Sequence, residues 1–385
     1  MPEPRAAGSG KQGPTIFLSA GEPSGDLHGA ALARALRSRV PGVRLIGLGG
    51  QRMKAEGVEL LAELDDLAVM GFAEVIGRLP FFLRLRKQVF GTLERERVDL
   101  VIPIDYPGFN LRLTEHAFRR GTPVLYYIAP QVWAWHASRA RDLARHTRRI
   151  AVILPFEADF LVSRGANAEF VGSPLLEVPE PSISRTEWCR REGLDPRRPV
   201  LGLFPGSRAQ EIHRHLELFE SAASEISRRR EDVQVRIGGS PDLDPELFAD
   251  ARHPVSRTPG DLLHFASAAL VKSGTTTLEA ALAGTPFVVA YRMNRLSWQI
   301  AKRLVKVPHI ALANLVAGER LVPELIQNSA TPRALADVLE PLLESGTPER
   351  LRMEDGFRRI RESLGRGHAS SRVAEIAAEL LEDRS

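Results

Sequence analysis

Cysteine is almost absent from this 385-residue chain, in which Cys189 stands alone. A single cysteine excludes an internal disulfide, and no group of cysteines and histidines has the spacing of a structural zinc site, so the composition favours a reducing cytoplasm and no bound metal. Long apolar runs are also missing, since nothing approaches the about 18 uninterrupted apolar residues of a membrane-spanning helix. Residues 1–13 are polar and lack the apolar core of a signal peptide, and we predict a disordered tail there.

The chain has no large excess of charge of one sign. It contains 52 Lys and Arg against 48 Asp and Glu, a formal net charge of +4. The basic residues are dispersed and no recognition motif accompanies them, which makes nucleic acid an unfavoured partner but leaves local patches for phosphates or anionic lipid. The loop after the first predicted strand is not G-x-G-x-x-G, and no suitable loop contains Asp-x-Asp. Both absences favour chemistry without a nicotinamide, flavin, metal or other cofactor.

Short apolar runs alternate with helical patterns along both halves of the chain, and 43% hydrophobic residues suffice for two cores. Predicted strands cover residues 15–19, 44–48, 99–104, 124–128, 150–154, 200–204, 233–237, 269–271 and 287–291. Predicted helices cover residues 27–38, 82–96, 111–120, 138–146, 211–228 and 276–283. The order predicts an α/β fold of two Rossmann-like domains whose parallel sheets face a cleft. We expect the domains at residues 14–178 and 185–365, a Pro-rich linker at 174–184, and a helix at 366–385 that packs back on the first domain.

Ligands of such sheets bind beyond the carboxyl ends of the strands, so the loops after the strands are the candidate sites. The strand at 200–204 is followed by Gly206, Ser207 and Arg208. A guanidinium at the end of a tight turn, just before a helix, suits a diphosphate. The alternative is an ordinary Pro-Gly turn with an exposed arginine.

A second loop of the same kind follows the strand at 269–271. Ser273, Gly274 and Thr275 open a helix there, and a phosphate can approach the free backbone N–H groups of its first turn. Glu279 lies one turn further on, where a carboxylate can accept hydrogen bonds from ribose hydroxyls. Ordinary helix capping with a solvated Glu279 is the alternative.

The first half has a comparable loop directly after its first strand. Gly21, Glu22, Ser24, Gly25 and Asp26 precede a predicted helix, and the two glycines allow a phosphorylated acceptor to approach the helix end. Helix capping is an alternative explanation for Ser24 and Asp26. Glu22 is harder to explain in that way, and we take it as a candidate catalytic residue.

The strand at 99–104 ends in Asp105, where a carboxylate can take a proton from an attacking hydroxyl. Trp133, Trp135 and His136 follow the strand at 124–128. Their aromatic faces suit sugars and acyl chains, and packing of the tryptophans at a domain interface is an equal alternative. His136 is the next candidate base, because an unperturbed pKa of about 6.5 suits proton transfer near neutrality.

Residues 67–87 mix apolar side chains with basic ones. Met70, Phe72, Phe81 and Phe82 are interleaved there with arginine and lysine, a combination that suits an anionic membrane surface. Core packing is the alternative for some of these residues. Residues 298–306 have a similar character and extend the same predicted surface.

Ten motifs, spread from one end of the chain to the other, match one protein family. They are residues 20–26 (AGEPSGD), 67–74 (LAVMGFAE), 104–110, 132–135, 154–157 (LPFE), 205–208, 273–279, 291–293, 301–306 (AKRLVK) and 314–327 (NLVAGERLVPELIQ). Through them the chain resembles the lipid-A-disaccharide synthases, bacterial glycosyltransferases of the two-Rossmann GT-B type. The resemblance implies that UDP-activated 2,3-diacylglucosamine is joined to 2,3-diacylglucosamine 1-phosphate with inversion, giving a β-1,6-linked disaccharide and UDP.

Carried over position by position, the family pattern makes Glu22 and Asp105 acceptor-side catalytic residues. It makes donor-side residues of Arg208, Ser273, Gly274, Thr275, Glu279, Asn314, Glu324 and Gln327. Two positions depart from the pattern: Gly108 replaces a second acidic residue, and Ser173 replaces a histidine near the linker. Both departures concern the acceptor half, in which Asp105 is then the carboxylate of its loop.

Two other functions stay open at this point. A UDP-N-acetylglucosamine epimerase, or another UDP-sugar transferase of the same fold, has similar donor-side motifs, and the apolar-basic segment at 67–87 argues against it. A noncatalytic nucleotide-sugar-binding module has the same loops and releases no UDP. With the resemblance, the segment predicts an enzyme on the cytoplasmic face of the inner membrane, with the surface lipids as partners, and leaves a homo-oligomer open.

Overall fold

The computed structural model describes residues 13–64, 79–135, 139–241, 243–294, 298–299, 302 and 307–383. The chain divides into two compact units, which are described separately. Unit 1 combines Met1–Pro174 with Gly367–Ser385, and unit 2 spans Leu175–Arg366.

Unit 1 alternates strands and helices and takes its last helix from the C-terminal part of the chain. Its described strands are β1 (Thr15–Ser19), β2 (Arg44–Gly49), β3 (Glu59–Glu63), β4 (Leu100–Pro103), β5 (Leu125–Tyr127), β6 (Arg149–Val152) and β7 (Ala168–Phe170). Its described helices are α1 (Pro23–Arg39), α2 (Gln51–Ala55), α3 (Leu79–Arg95), α4 (Pro107–Arg119), α5 (Val132–Trp135), α6 (Arg139–His146), α7 (Pro155–Val162) and α15 (Ala369–Glu382).

The strands of unit 1 are parallel and lie in the order β3-β2-β1-β4, followed by β5-β6-β7. Parallel bridges from Val101 to Val124 and from Ile104 to Tyr127 connect β4 to β5. The sheet therefore has the doubly wound order of a Rossmann domain, and the direction of winding reverses between β1 and β4. Ligands of such sheets bind at this reversal, beyond the carboxyl ends of the strands.

Both faces of this sheet are covered by apolar helix surfaces. On one face Leu32 and Leu36 of α1 share a buried cluster with Val373 and Ile376 of α15. On the other face side chains of α3 and α4, Val89 and Leu113 among them, pack against β1, β2 and β4. Because each fully buried aliphatic side chain stabilises the fold by about 1.5–3 kcal/mol, these clusters hold the carboxyl edge of the sheet in place.

Unit 2 repeats the alternation of strands and helices. Its described strands are β8 (Val200–Phe204), β9 (Gln234–Gly238), β10 (Val255–Ser256), β11 (Ala268–Lys272), β12 (Phe287–Tyr291) and β13 (Glu324–Ile326). Its described helices are α8 (Arg185–Glu192), α9 (Ala209–Arg229), α10 (Pro259–Phe265), α11 (Thr276–Ala283), α12 (Leu312–Ala317), α13 (Pro332–Leu339) and α14 (Pro348–Ser363).

The sheet of unit 2 is parallel throughout, with the order β10-β9-β8-β11-β12-β13. Its winding reverses between β8 and β11, so the loops after these two strands are neighbours although they are distant in sequence. Apolar packing also covers this sheet: Phe287 of β12 stacks on Phe357 of α14, with ring centroids 5.5 Å apart. In the part of the chain that the structure describes, no helix is long and apolar enough to cross a membrane.

The predicted α/β class with parallel sheets is confirmed, and the structure differs from the prediction in detail. The short strands β3, β7, β10 and β13 lie at or next to sheet edges and were not predicted, because segments of two to five residues carry little periodicity. Helix α1 begins at Pro23, four residues before the predicted start. Proline is favoured in the first turn of a helix, where its missing N–H has no intrahelical partner.

Candidate functional site

The loop after β8 brings Arg208 to the start of the long helix α9. Gly206 has a φ of +141°, and a Cβ at this position would lie 2.4 Å from the Cβ of Glu211, so the turn requires glycine. The N–H of Ser207 donates a hydrogen bond to Oε2 of Glu211 at 3.0 Å. Arg208 is exposed in the N-cap position. A cation at a helix N-terminus adds to the dipole and free N–H groups that already favour an anion.

The loop after β11 lies beside it and opens helix α11. Gly274 has a φ of +156°, outside the range that other residues readily adopt. The Ser273 hydroxyl donates to the carbonyl of Ile310 at 2.7 Å, and the Thr277 hydroxyl donates to the carbonyl of Gly274 at 2.8 Å. Thr275 and Glu279 are exposed. Internal hydrogen bonds thus fix the loop and present the first turn of α11 at the reversal of the sheet.

Three further residues at this edge were not predicted from the sequence: Lys272, Glu211 and His215. Nζ of Lys272, the last residue of β11, lies 2.7 Å from Oε1 of Glu211. His215 is buried, with Nδ1 2.9 Å from the Glu211 carbonyl, and its Nε2 accepts from the N–H of Arg292 at 3.0 Å. Burial lowers the pKa of His215, so the ring is neutral near pH 7 and carries its proton on Nδ1. A lysine that ends a buried strand was the signal available in the sequence.

Asn314, Glu324 and Gln327 are engaged within unit 2. Asn314 is fully buried: its amide nitrogen donates to the Val322 carbonyl and to Oε1 of Glu324, both at 2.9 Å, and its oxygen accepts from the N–H of Val322. Oε1 of Glu324 also accepts from the backbone N–H of Ile310 and Ala311, just before α12.

Gln327, with a φ of +55°, exchanges two hydrogen bonds of 3.2 Å with the backbone of Met293. Side chains committed in this way position the loops that follow β12 and β13.

The loops after β1 and β4 meet at the reversal of unit 1. Asp105 and Tyr106 are consecutive residues with φ values of +46° and +49°. A Cβ on Gly21 would lie 2.2 Å from the ring of Tyr106, so glycine is needed for this packing. Burial and the negative charge of Glu22 raise the pKa of Tyr106. The structure thus brings Gly21, Glu22 and Asp105 together at the carboxyl edge of this sheet.

The β4–α4 turn is held by a buried network. The amide nitrogen of Asn110 donates to the carbonyls of Ser19, Ile104 and Asp105 at 3.0, 3.3 and 2.8 Å. The Tyr126 hydroxyl donates to the carbonyl of Asp105 at 2.9 Å. Left-handed residues other than glycine cost about 1–3 kcal/mol each, and they persist where the surroundings over-determine them, often at functional sites.

Other residues of the β1 loop have structural partners. The carboxylate of Asp26 is buried and accepts from the N–H of Gly50, Arg52 and Met53, so it caps helix α2. Gly25 is buried, and a Cβ added to it would lie 3.2 Å from the Cβ of Ala20. Ser24 is exposed in the first turn of α1.

Glu157 is the last residue of the LPFE motif at 154–157, for which no role was predicted from the sequence. It is 2% exposed, and Oε1 accepts from Nε1 of Trp133 at 2.9 Å while Oε2 accepts from the N–H of Leu154 at 3.1 Å. Burial, together with the negative charge of Asp105, raises its pKa to about 7, although these hydrogen bonds lower it. His136 lies outside the described residues.

Part of the predicted lipid surface can be placed on α3. Leu83 is 45% exposed, next to exposed Arg84. Phe81, a predicted lipid contact, is partly buried against the core of unit 1. Met70 and Phe72 lie outside the described residues, as does the side chain of Phe82.

Two parallel sheets of Rossmann order define the class of α/β protein to which GT-B glycosyltransferases belong. The calicheamicin glycosyltransferase CalG4 aligns over 97% of this chain and 99% of its own at 18% identity, with a TM-score of 0.58. A UDP-GlcNAc 2-epimerase from Neisseria meningitidis, bound to UDP-GlcNAc, aligns over 95% of this chain and 99% of its own at 12% identity, with a TM-score of 0.62. At these identities the likeness establishes the fold.

The sequence comparisons are more specific. Residues 16–379 match the family model for lipid-A-disaccharide synthetase. The lipid-A-disaccharide synthase of Acidobacterium capsulatum is 42% identical over an alignment of 395 positions, which covers 97% of this chain and 98% of the relative. The chain belongs to the lipid-A-disaccharide synthase family. It is a glycosyltransferase of lipid A biosynthesis that acts on a UDP-sugar and a lipid-linked sugar, and the predicted activity is confirmed over the epimerase and the noncatalytic module.

Proposed function

We propose that unit 2 binds the UDP moiety of the donor, that unit 1 binds the lipid-linked acceptor, and that Asp105 is the general base. One observation carries the donor assignment: the loops after β8 and β11 lie side by side at the sheet reversal, each with a glycine of positive φ and a following helix. This arrangement suits a diphosphate because the N–H groups of both helix starts point toward the same edge.

The leaving group is UDP, so negative charge develops on the diphosphate as the bond to the anomeric carbon breaks. The guanidinium of Arg208 and the amides at the start of α11 offset that charge. Single displacement by the acceptor 6-hydroxyl, from the face opposite UDP, gives the inverted β-1,6 linkage. Oriented donors of this kind typically contribute about 2.7–4 kcal/mol each to the stabilisation of a transition state.

On unit 1 the carboxylate of Asp105 takes the proton of the acceptor hydroxyl, and Glu22 orients the same acceptor. The support is the turn itself, in which Asn110 and Tyr126 hold the backbone of Asp105 in a strained conformation. A general base contributes about 100- to 10,000-fold to the rate, and it must lie within hydrogen-bond reach of the proton that it removes.

The test combines the purified chain with UDP-2,3-diacylglucosamine and 2,3-diacylglucosamine 1-phosphate, with the product identified by mass. We expect Asp105→Asn to lower kcat by about 100- to 10,000-fold while UDP still binds. Asp159→Asn, the same substitution at an exposed position of α7, serves as the control and should keep full activity. If Asp105→Asn retains most of kcat at several pH values, Asp105 is not the base.

The place of action is also a proposal. Exposed Leu83 beside Arg84 and Lys87 on α3 supports peripheral attachment to the cytoplasmic face of the inner membrane, because an apolar side chain flanked by cations suits an anionic lipid surface. Anionic surface lipids are then partners of the enzyme in addition to its substrates. A homo-oligomer stays a prediction, which the mass of the chain in solution tests.

A further inference from the structure

Lys272 carries an ammonium whose position is fixed from two sides. Nζ lies 2.7 Å from Oε1 of Glu211, and the two side chains are only 17% and 16% exposed. Nζ also lies 5.9 Å from the centroid of the Tyr291 ring, within the range of a cation–π contact. The charge is therefore held at the carboxyl edge of the unit 2 sheet, at the end of β11.

Glu211 connects this lysine to the neighbouring loops. Its Oε2 accepts from the N–H of Ser207, and its carbonyl contacts His215, whose Nε2 accepts from the N–H of Arg292. One residue thus links the end of β11 to the loop after β8 and, through His215, to the end of β12. A movement of Glu211 would therefore break contacts at the end of β11, in the loop after β8 and, through His215, at the end of β12.

The space above Gly274 faces the same ammonium. A Cβ at this position would lie 3.6 Å from Nζ of Lys272, and among the described residues no other atom beyond the adjacent residues comes within 4 Å. An ammonium has three N–H donors, and Oε1 of Glu211 uses one of them. A ligand oxygen placed next to Gly274 would therefore lie close to N–H groups of this ammonium that Glu211 does not use.

Stability is a weak explanation for this ion pair. Desolvation of two charges offsets most of the attraction between them, and apolar residues in place of such a pair are often equally stable. Desolvation alone raises the pKa of the Glu211 carboxyl. The charge of Lys272 and the hydrogen bonds from Lys272 and Ser207 have the larger, opposite effect, so the pKa of Glu211 is lowered. The carboxylate remains ionised and keeps the ammonium in place.

We propose that Lys272 is a second phosphate-binding cation of the donor site, beside Arg208, and that Glu211 is the residue that positions it. The inference rests on the proposed binding of UDP by unit 2. It adds a specificity determinant, because Lys272 favours ligands that carry phosphate on Gly274 over the uncharged nucleoside. Glu211 acts through Lys272 and the Ser207 N–H, without contact to the ligand.

The experiment measures the binding of UDP, UMP and uridine by calorimetry. The double variant Lys272→Met with Glu211→Gln replaces both charges, so the net charge is unchanged and no carboxylate is left unpaired. We expect UDP to bind about tenfold more weakly, as for the loss of one charge-assisted hydrogen bond, and uridine to bind as in the parent chain. The dependence of UDP affinity on salt should also become shallower.

A matched control is the pair of Arg236 and Glu192, with side chains 12% and 18% exposed in the same unit. Arg236→Met with Glu192→Gln should leave all three affinities unchanged. Equal losses for UDP and uridine in the Lys272 variant, or unchanged UDP binding, would overturn the inference. If the parent chain binds no UDP, or if Arg208→Met leaves UDP binding intact, the proposed function fails instead, and thermal unfolding verifies that each variant is folded.

Discussion

The buried carboxyl of Glu157 offers a direct test of the electrostatics near Asp105. Glu157 is 2% exposed and accepts hydrogen bonds from Trp133 and Leu154. Burial raises its pKa from 4.5 to about 7, with a further contribution from the charge of Asp105. The substitution Glu157→Gln removes this titration and keeps the size of the side chain.

The sign of the effect follows from proton binding. With a raised pKa, folded Glu157 keeps its proton over a pH range in which the unfolded chain has lost it, so the free energy of unfolding falls as pH rises through that range. The fall begins near the unfolded value of 4.5 and is complete just above the folded value of about 7. At about 1.4 kcal/mol per pKa unit, the two values correspond to a loss of about 3 kcal/mol.

The measurement is urea unfolding of unit 1, followed by tryptophan fluorescence, at several pH values from about 4.5 to about 8. At low pH we expect Glu157→Gln to be less stable than the parent chain by about 1–3 kcal/mol, because the amide NH₂ opposes a backbone or indole N–H. As pH rises, the parent chain loses about 3 kcal/mol that the variant keeps, so at high pH the variant should be as stable as the parent chain or up to about 2 kcal/mol more stable. Glu382→Gln, at an exposed position of α15, is the control. Parallel pH curves for Glu157→Gln and the parent chain would refute a raised pKa at Glu157.

Two further predictions concern the proposed UDP site and the proposed membrane-binding surface. Gly206→Ala places a Cβ 2.4 Å from that of Glu211 at a φ of +141°. We expect a loss of UDP affinity of about 5- to 150-fold by calorimetry, since strain of about 1–3 kcal/mol is relieved by displacing the loop, and unchanged affinity would contradict the requirement for glycine. In a flotation assay with anionic lipid vesicles, we expect less of the Leu83→Ser variant than of the parent chain to float with the vesicles. High salt should reduce the bound fraction further by screening. Equal flotation on neutral and anionic vesicles would exclude the electrostatic part of that surface.

The positions of the loops after β8 and β11 could be predicted because the relevant signals are local. An apolar run marks a buried strand, and glycine with small hydroxyl residues marks a turn into a helix, as at Gly206 and Ser273. That these loops are adjacent was not predicted from the sequence. The sheet order shows that β8 and β11 are neighbours, although their loops are separated by more than sixty residues.

The partners of polar side chains could not be predicted in the same way. A carboxylate in a loop suits a ligand and a backbone N–H equally well, and the path of the chain decides between them. Asp26 caps α2, a helix that begins 25 residues later, and Glu324 accepts from the N–H groups at the start of α12. The pairs of Lys272 with Glu211 and of Trp133 with Glu157 are likewise long-range contacts that no local pattern encodes.

The departure from the family pattern at Gly108 can be interpreted from the turn that contains it. Gly108 is exposed near the start of α4, and among the described residues no atom lies within 4 Å of an added Cβ beyond the adjacent residues. A second acidic residue there would project into open space, so its replacement by glycine removes a charge and no packing contact. The strained backbone of Asp105, in contrast, is fixed by Asn110 and Tyr126. Because this chain keeps the constrained carboxylate and lacks the unconstrained one, the proposed proton removal by Asp105 involves no second acid in its loop.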